Sequence, residues 1–317
     1  MKKEKMYSVA IRRRANNKDH FWFHDDYEFV ECKISTCGGR YWYADPFIYE
    51  KNDITYIFFE AYDLVKLRGK EGYCILLEDG SCTEPKIIID ESYHLSFPYI
   101  FDFNGAIYMM PEMCEDYSIK IYKSISFPDK WAIAEVILPD IFACDSVFVE
   151  KFGKRYLLTS EMFHNVPNGQ YASCWVKNCL YEMEGLKVIN HGMRIAEGDY
   201  GIRNAGMPFE HDGVLYRIGQ DCRKRKYGKG LVLFKIDSLV PYKEEIQWGV
   251  TCEEIQSHIK REGNDNLLGV HTYNSSEHYE IIDFSEIRDV PICIMLKRYC
   301  TFIKRGIRKI HSKLLHS

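Results

Sequence analysis

No run of about 18 consecutive apolar residues occurs in the 317-residue chain, so no helix is expected to cross a bilayer. Low-complexity tracts are also missing, which leaves the composition of an ordinary globular protein. The 12 cysteines contain no C-x-x-C pair and no Cys/His ligand spacing, so neither a zinc site nor a disulfide framework is indicated. They are expected to be reduced and mostly buried. The opening MKKEKMYSVAIRRR is basic, yet it lacks the apolar stretch and small-residue cleavage site of a secretory signal, so a cytoplasmic protein is expected.

What is present favours strands. Aromatic residues make up 15% of the chain, with 23 Tyr and 18 Phe, a bias that suits β-structure and also supplies rings on which sugars stack. The length exceeds that of most single domains, but all-β propellers reach it as one unit. The formal charge of −4 hides an asymmetry: residues 288–317 hold eight Lys/Arg against one Asp, a net +7 that leaves −11 for the rest.

A repeat runs through that acidic body. ADPFIYEKNDITYIFFE (44–60), FPYIFDFNGAIYMMPE (97–112), DSVFVEKFGKRYLLTSE (145–161) and AGMPFEHDGVLYRIGQD (205–221) each read as a β-hairpin. Their turns, Lys51-Asn52-Asp53, Asn104-Gly105, Phe152-Gly153-Lys154 and His211-Asp212-Gly213, supply residues that tolerate positive φ. A tyrosine recurs in register at Tyr56, Tyr108, Tyr156 and Tyr216, and GVHTYNSSEHYEIIDF (269–284) is a weaker fifth copy. Copies start roughly 50–65 residues apart, the length of a four-stranded blade with its connections, with GYCILLED (72–79) and SIKIYKS (118–124) as further strands. The expectation is an all-β fold, a five-bladed β-propeller over 1–287 with a C-terminal amphipathic α-helix over 288–317. YSVAI or DYEFVECKI is expected to close the ring beside the last blade. A β-sandwich with coincidental hairpin similarity is the alternative.

In an antiparallel hairpin the start of the first strand lies beside the end of the second, so polar residues at those two places share a rim. The starts hold Asp45, Ser96 after His94, Asp145, Arg203-Asn204 and His271-Thr272. Four residues past each tyrosine stand Glu60, Glu112, Ser160 and Gln220, with Glu161 and Asp221 adjacent. Singly, each has a structural reading, such as a turn former before Pro46 or a strand cap. Together they predict an acidic axial funnel, since carboxylates are rare in buried strands unless paired or functional.

The segments YADPF, YIFFE, YHLSFPYIF, IYMMPE, FPDKW, ACDSVF, NAGMPFEHDGVLYRIGQDC, RKYGKGL and GVHTYN give the chain a family likeness. From about Tyr41 to Asp283 it resembles the N-terminal propeller domain of glucosamine inositolphosphorylceramide transferase and its stand-alone bacterial relatives. More distantly it resembles the five-bladed furanosidases, in which an Asp at the start of blade one is the general base. The resemblance marks Asp45, Glu60, His94, Glu112, Asp145, Arg203, Gln220, Asp221 and His271 as funnel candidates. Of these, Asp45, Glu112 and Asp145 are the catalytic candidates; the others are candidates for binding substrate, together with Ser96, Glu161 and Asn204 from the repeat positions and Arg223 and Lys226 from the basic cluster that follows Asp221. Two departures stand out: blade two opens with Ser96 and Pro98 where a hydrolase pattern wants an Asp, and Arg203-Asn204-Ala205 replaces the usual Arg-Pro-Ala.

The tail carries apolar residues at 292, 295, 296, 299, 302, 303, 307, 310 and 314 with Lys and Arg between them. That spacing predicts a basic amphipathic helix able to lie on an anionic membrane through residues 291–315, with packing on the propeller or oligomerisation as the alternatives. Nucleic acid is not an expected partner, because a body at −11 repels phosphate. The cluster Arg223-Lys224-Arg225-Lys226 with Lys229 can form a rim loop for a diphosphate, or simply a solvated turn. Taken together, the expected function is a membrane-peripheral glycosyltransferase, or its sugar-binding partner, in surface polysaccharide or glycolipid synthesis. No resident cofactor or metal is expected; the donor would be a sugar nucleotide or lipid-linked sugar. A furanosidase-type hydrolase and a non-catalytic carbohydrate-binding module are the competing readings.

Overall fold

Turn chemistry sets the repeat. In the computed structural model, which describes residues 2–151, 153–164, 173–263 and 266–315 and side chains through 303, Lys51 pairs with Ile54, Phe103 with Ala106 and His211 with Val214. That leaves the two-residue loops Asn52-Asp53, Asn104-Gly105 and Asp212-Gly213, all at positive φ, the conformation that matches the twist of a tight hairpin. Gly153 also has positive φ, whereas Phe152 of the expected third turn lies outside the described residues.

Each hairpin grows outward into a blade. Blade one is ordered Tyr41–Lys51, Ile54–Asp63, Glu71–Leu76, Lys86–Ile89, and blade two Ser96–Phe103, Ala106–Glu112, Ser118–Ser126, Lys130–Pro139. Blade three runs Ala143–Lys151, Lys154–Met162, Val176–Glu184, with Lys187–Val188 and Met193–Gly198 sharing its outer edge. In blade four the inner strand is broken into Tyr200–Asn204 and Phe209–His211, both paired with Val214–Asp221, followed by Gly230–Leu239 and Tyr242–Thr251. Blade five begins with Tyr273–Ser275 and Tyr279–Asp289 and is completed by the N-terminal Lys3–Arg13, then Phe29–Glu31 and Ile259–Lys260. Both expected closing segments therefore take part.

The closing strand pairs along its whole length, from Lys3 opposite Asp289 to Arg13 opposite Tyr279. Glu280, fully buried, fixes the join: it accepts from Arg12 Nη1 at 2.7 Å, Tyr273 Oη at 2.6 Å and the Phe21 backbone N–H at 3.1 Å. Apolar packing fills the wedges between blades. Phe47, Phe58, Phe97, Met109 and Leu158 pack among the first three blades, Phe21, Phe29, Ile218, Tyr273 and Phe284 between four and five, and Val9, Ile57, Phe59 and Ile281 between five and one. Most cysteines are buried free thiols within this packing; Cys37, Cys293 and Cys300 are exposed. The last strand runs to Asp289 and the C-terminal helix spans Ile292–Leu315, a boundary slightly beyond the expected 287/288. Among the described residues, no helix is long and apolar enough to cross a membrane.

The blade four to five junction depends on a missing side chain. Tyr273 N–H donates to the Ala205 carbonyl at 2.8 Å, and Asn274 Oδ1 accepts from Met207 N–H at 2.8 Å while its Nδ2 reaches the Pro46 carbonyl of blade one at 2.8 Å. A Cβ on Gly206 would sit 1.8 Å from the Tyr273 carbonyl oxygen. Gly206→Ala should therefore destabilise the fold by about 2–4 kcal/mol, read as a lowered urea midpoint; an unchanged midpoint would show that the junction has slack.

Candidate functional site

The inner strands share a distortion that aims the site residues. Between Ala44 and Phe47, Ser96 and Tyr99, and Cys144 and Val147, the register skips, so each inner strand carries one extra residue. Asp45, Phe97 and Asp145 occupy the same position in these bulges, with φ of 49°, 52° and 49°. A bulge redirects a side chain out of the normal alternation, and Asp tolerates this left-handed backbone far better than a bulky residue does. The carboxyl that the hydrolase pattern wants in blade two is thus replaced by Phe97, which is buried in the core.

The strand starts converge on a cavity of about 290 Å³. Its acidic side is Asp45, Glu60 and Glu112, its basic groups are Arg203, His94 and His271, and Ser96 lies beside Glu112. Tyr7, Trp42, Tyr62 and Tyr227 form an aromatic wall, with Trp42 and Tyr62 stacked at 4.5 Å and 9°.

Asp45 heads a buried line of charge. Its Oδ1 accepts from Thr272 Oγ1 at 2.5 Å and lies 3.5 Å from His271 Nε2. His271 Nδ1 is 2.5 Å from Asp283 Oδ2, an ion-pair approach with no aligned hydrogen bond on that nitrogen. Asp283 Oδ1 accepts the backbone N–H of His271 and of Thr272, and its Oδ2 accepts that of Asp45. Burial alone would raise the Asp283 carboxyl, but the His271 imidazole and these backbone donors hold it below its ordinary value. Burial lowers His271, yet Asp283 and Asp45 outweigh it and leave the imidazole raised. For Asp45 the balance goes the other way: burial, helped by the Asp283 charge, raises its pKa despite His271 and Thr272. The ligand atoms of Asp45, His271 and Asp283 lie within 4.8 Å of one another, so the trio can share a proton or hold a cation.

Opposite stands Glu112, which accepts from Ser96 Oγ at 2.8 Å and lies 4.0 Å from Arg203 Nη2. Burial pushes it up, but the neighbouring His94 and Arg203 prevail and hold it below its usual range. His94 Nδ1 accepts the Gly69 N–H at 2.9 Å, which leaves its protonated Nε2 facing Glu60 Oε1 at 3.5 Å. Glu60 Oε1 has no hydrogen-bond partner, and Glu71, opposite Glu60 on the next strand, has none on either oxygen. Burial, reinforced by Asp45 and Glu112, raises both carboxyls well above their ordinary values.

Seven of the residues expected from sequence therefore reach the cavity wall: Asp45, Glu60, His94, Ser96, Glu112, Arg203 and His271. Asp145 stands behind Arg203, paired through Nε and Nη2, with Gln220 Nε2 donating to it at 3.1 Å. Asn204 is part of the same frame, donating to the Asp145 carbonyl at 2.8 Å and accepting from Asn178 Nδ2 at 3.3 Å. Glu161 turns to Tyr181 Oη at 2.7 Å and to Lys177. Asp221 is clasped by Arg223 at 2.8 and 3.0 Å, and Arg223 in turn lies 3.8 Å over the Tyr200 ring. Lys226 is exposed, so the basic loop contributes its tyrosine to the cavity: Tyr227 sits 4.9 Å from the Arg203 guanidinium and 5.2 Å from His271. Sequence reasoning missed Asp283, Glu71 and the four rings. Asp283 had a signal, because it stands four residues after Tyr279, the place that Glu60 and Glu112 occupy after Tyr56 and Tyr108.

Fold and cavity define the class: a five-bladed β-propeller with an acidic, aromatic-walled axial pocket. The family model described as glucosamine inositolphosphorylceramide transferase 1, N-terminal, matches residues 29–283, and the chain belongs to that family. The transferase 1 of Arabidopsis thaliana is 37% identical over 201 residues, 62% of this chain and 26% of the relative; that of Oryza sativa subsp. japonica is 32% identical over 242 residues, 74% and 32%. The chain thus spans about a quarter to a third of those relatives. Among solved structures, the catalytic domain of the Coprinopsis cinerea GH62 α-L-arabinofuranosidase superposes with TM-score 0.53 at 8% identity, covering 87% of this chain and 97% of that one. The Cellvibrio cellulosa α-L-arabinanase bound to arabinohexaose gives 0.51 at 13%, covering 75% and 89%. These two likenesses establish the fold.

The orphaned Glu71 has a pH signature. A carboxyl whose folded pKa is raised binds its proton more tightly in the native state. It contributes full stability below its unfolded pKa, and that contribution is lost as pH rises toward the folded pKa. Glu71→Gln should remove this loss, giving a variant whose melting temperature exceeds wild type by a margin that widens between about pH 5 and 8, at up to about 1.4 kcal/mol per pH unit. A constant difference across that range would mean that Glu71 is ionised in the fold.

Proposed function

We propose that the axial cavity holds the sugar of a glycolipid or surface-glycan acceptor during glycosyl transfer, with Asp45 as the proton acceptor. The observation that carries the reading is the line Asp45–His271–Asp283 opening beside an aromatic wall: a carboxylate with a raised pKa, backed by an imidazole, next to rings on which a sugar face can stack. The family supports it, since the relatives bear the name glucosamine inositolphosphorylceramide transferase. In the reaction, the acceptor hydroxyl gives its proton to Asp45 while its oxygen bonds to the anomeric carbon of the donor. The bond from that carbon to the leaving group breaks, and the leaving group departs with the electron pair. Arg203, held by Asp145, is the guanidinium on the wall that can face its charge, and His94 offers an Nε2–H donor beside it. Phe97 at the blade-two bulge counts against a hydrolase of the furanosidase type, whose pattern places an Asp at that opening.

The test is incubation of the chain with membranes and a panel of labelled sugar nucleotides, alongside saccharide binding by calorimetry. Label should enter lipid or glycan, and Asp45→Asn should cut the rate by about 10²-fold or more while still binding sugar. Release of free labelled sugar would identify a hydrolase; binding with no turnover in either protein would identify a carbohydrate-binding module.

A further inference from the structure

The C-terminal helix leaves the propeller beside the cavity. Its inner face is short: Ile294 is buried, and Arg298 donates from Nε to the Leu64 carbonyl at 2.7 Å and pairs with Glu4 at 2.7 and 3.2 Å. That guanidinium holds Glu4 down at about 2. The outer face is apolar. Ile292, Leu296, Tyr299 and Ile303 follow one another at helical spacing with Phe302 alongside, each between 44% and 69% exposed. The same segment is strongly basic, with Lys297 and then Lys304, Arg305, Arg308, Lys309 and Lys313 along the sequence.

A row of exposed large apolar side chains on a segment of net charge +7 matches an anionic lipid leaflet: rings and aliphatic chains enter the acyl boundary while cations meet the headgroups. The root of the helix also has a fixed relation to the site. Trp42 and Tyr62, two rings of the cavity wall, pack in one apolar cluster with Leu64, Val290 and Ile294. We propose that residues 292–315 dock on an anionic membrane, and that this docking sets the mouth of the axial cavity at the headgroup layer, where a glycolipid sugar can enter. The second half of this inference rests on the sugar-handling reading above; the first does not.

Sedimentation of the full chain with phosphatidylcholine vesicles, with and without phosphatidylglycerol, tests the docking. Binding should require the anionic lipid and weaken as salt is raised. The double variant Leu296→Glu/Phe302→Glu, altered only at exposed positions, should reduce the bound fraction about tenfold or more. Vesicles of lipid brominated near the headgroup test the orientation: they should quench wild-type tryptophan fluorescence, with the quenching largely lost in Trp42→Phe and kept in Trp248→Phe. Equal binding to uncharged vesicles, or no loss in the double variant, would overturn the docking, as would a self-associated species that the double variant dissolves without any vesicle binding. Quenching that survives Trp42→Phe would overturn the orientation. Asp45→Asn should bind vesicles as wild type does, so a failure of the catalytic reading leaves this result readable.

Discussion

Ring closure is the constraint on which the rest depends. A propeller blade cannot bury both its faces alone; each needs the neighbour on either side, and the fifth must meet the first. Here the join is made by chain ends, with Lys3–Arg13 hydrogen-bonded along Tyr279–Asp289. The buried Val9, Ala10, Ile281, Ile282 and Phe284 on these strands each contribute on the order of 1–3 kcal/mol through lost apolar surface. Glu280 adds direction: a fully buried carboxylate is costly unless satisfied, and its donors come from Arg12, Phe21 and Tyr273, so it is satisfied only when the N-terminal segment is seated. Closure places His271 and Asp283 of blade five against Asp45 of blade one, so the line of charge in the cavity exists only in the closed ring.

Within the cavity, burial and pairing compete with different outcomes at each carboxyl. Asp283 has an imidazole and three backbone donors and stays ionised; Glu112 has a hydroxyl, the Arg203 guanidinium and the His94 imidazole nearby and does the same. Glu60 and Glu71 face each other with three of their four oxygens either unpartnered or touched only by His94, and the proton is the cheapest way to neutralise them. Asp45 lies between these extremes. A group poised in that way can exchange a proton with a substrate hydroxyl; Asp145, pushed up to about 7 by burial although Arg203 pulls it down, stands behind that guanidinium and holds it in place.

Much of the architecture was legible because hairpin turns are local chemistry. Asn104-Gly105 and Asp212-Gly213 admit the positive φ a two-residue loop demands, and the spacing between copies then counts the strands. The polar starts and ends of the inner hairpins were legible for the same reason, and Asp45, Glu60 and Glu112 do meet. What stayed hidden depends on direction over long range. The bulge gives Asp45 and Asp145 the same backbone, but Arg203 from blade four intervenes before Asp145 can reach the cavity. The basic loop read as either a diphosphate-binding rim or a solvated turn; neither reading foresaw that Asp221 would hold Arg223 or that Tyr227 would turn toward Arg203. Tyr7, Trp42 and Tyr62 looked like ordinary strand aromatics, and nothing in their local pattern separates a core ring from a ring on a cavity wall.

The aromatic wall links two features that the sequence keeps far apart. Trp42 stacks on Tyr62 and touches Tyr7, which in turn packs on His271; the same tryptophan shares an apolar cluster with Val290 and Ile294 at the foot of the helix. Close-packed side chains have little room to move independently, so the seat of the helix and the imidazole behind Asp45 are held by one continuous contact chain. Packing of this kind fixes a relative orientation without any hinge. The foot of the helix and the stacked rings that would receive a sugar are therefore neighbours in one packed cluster.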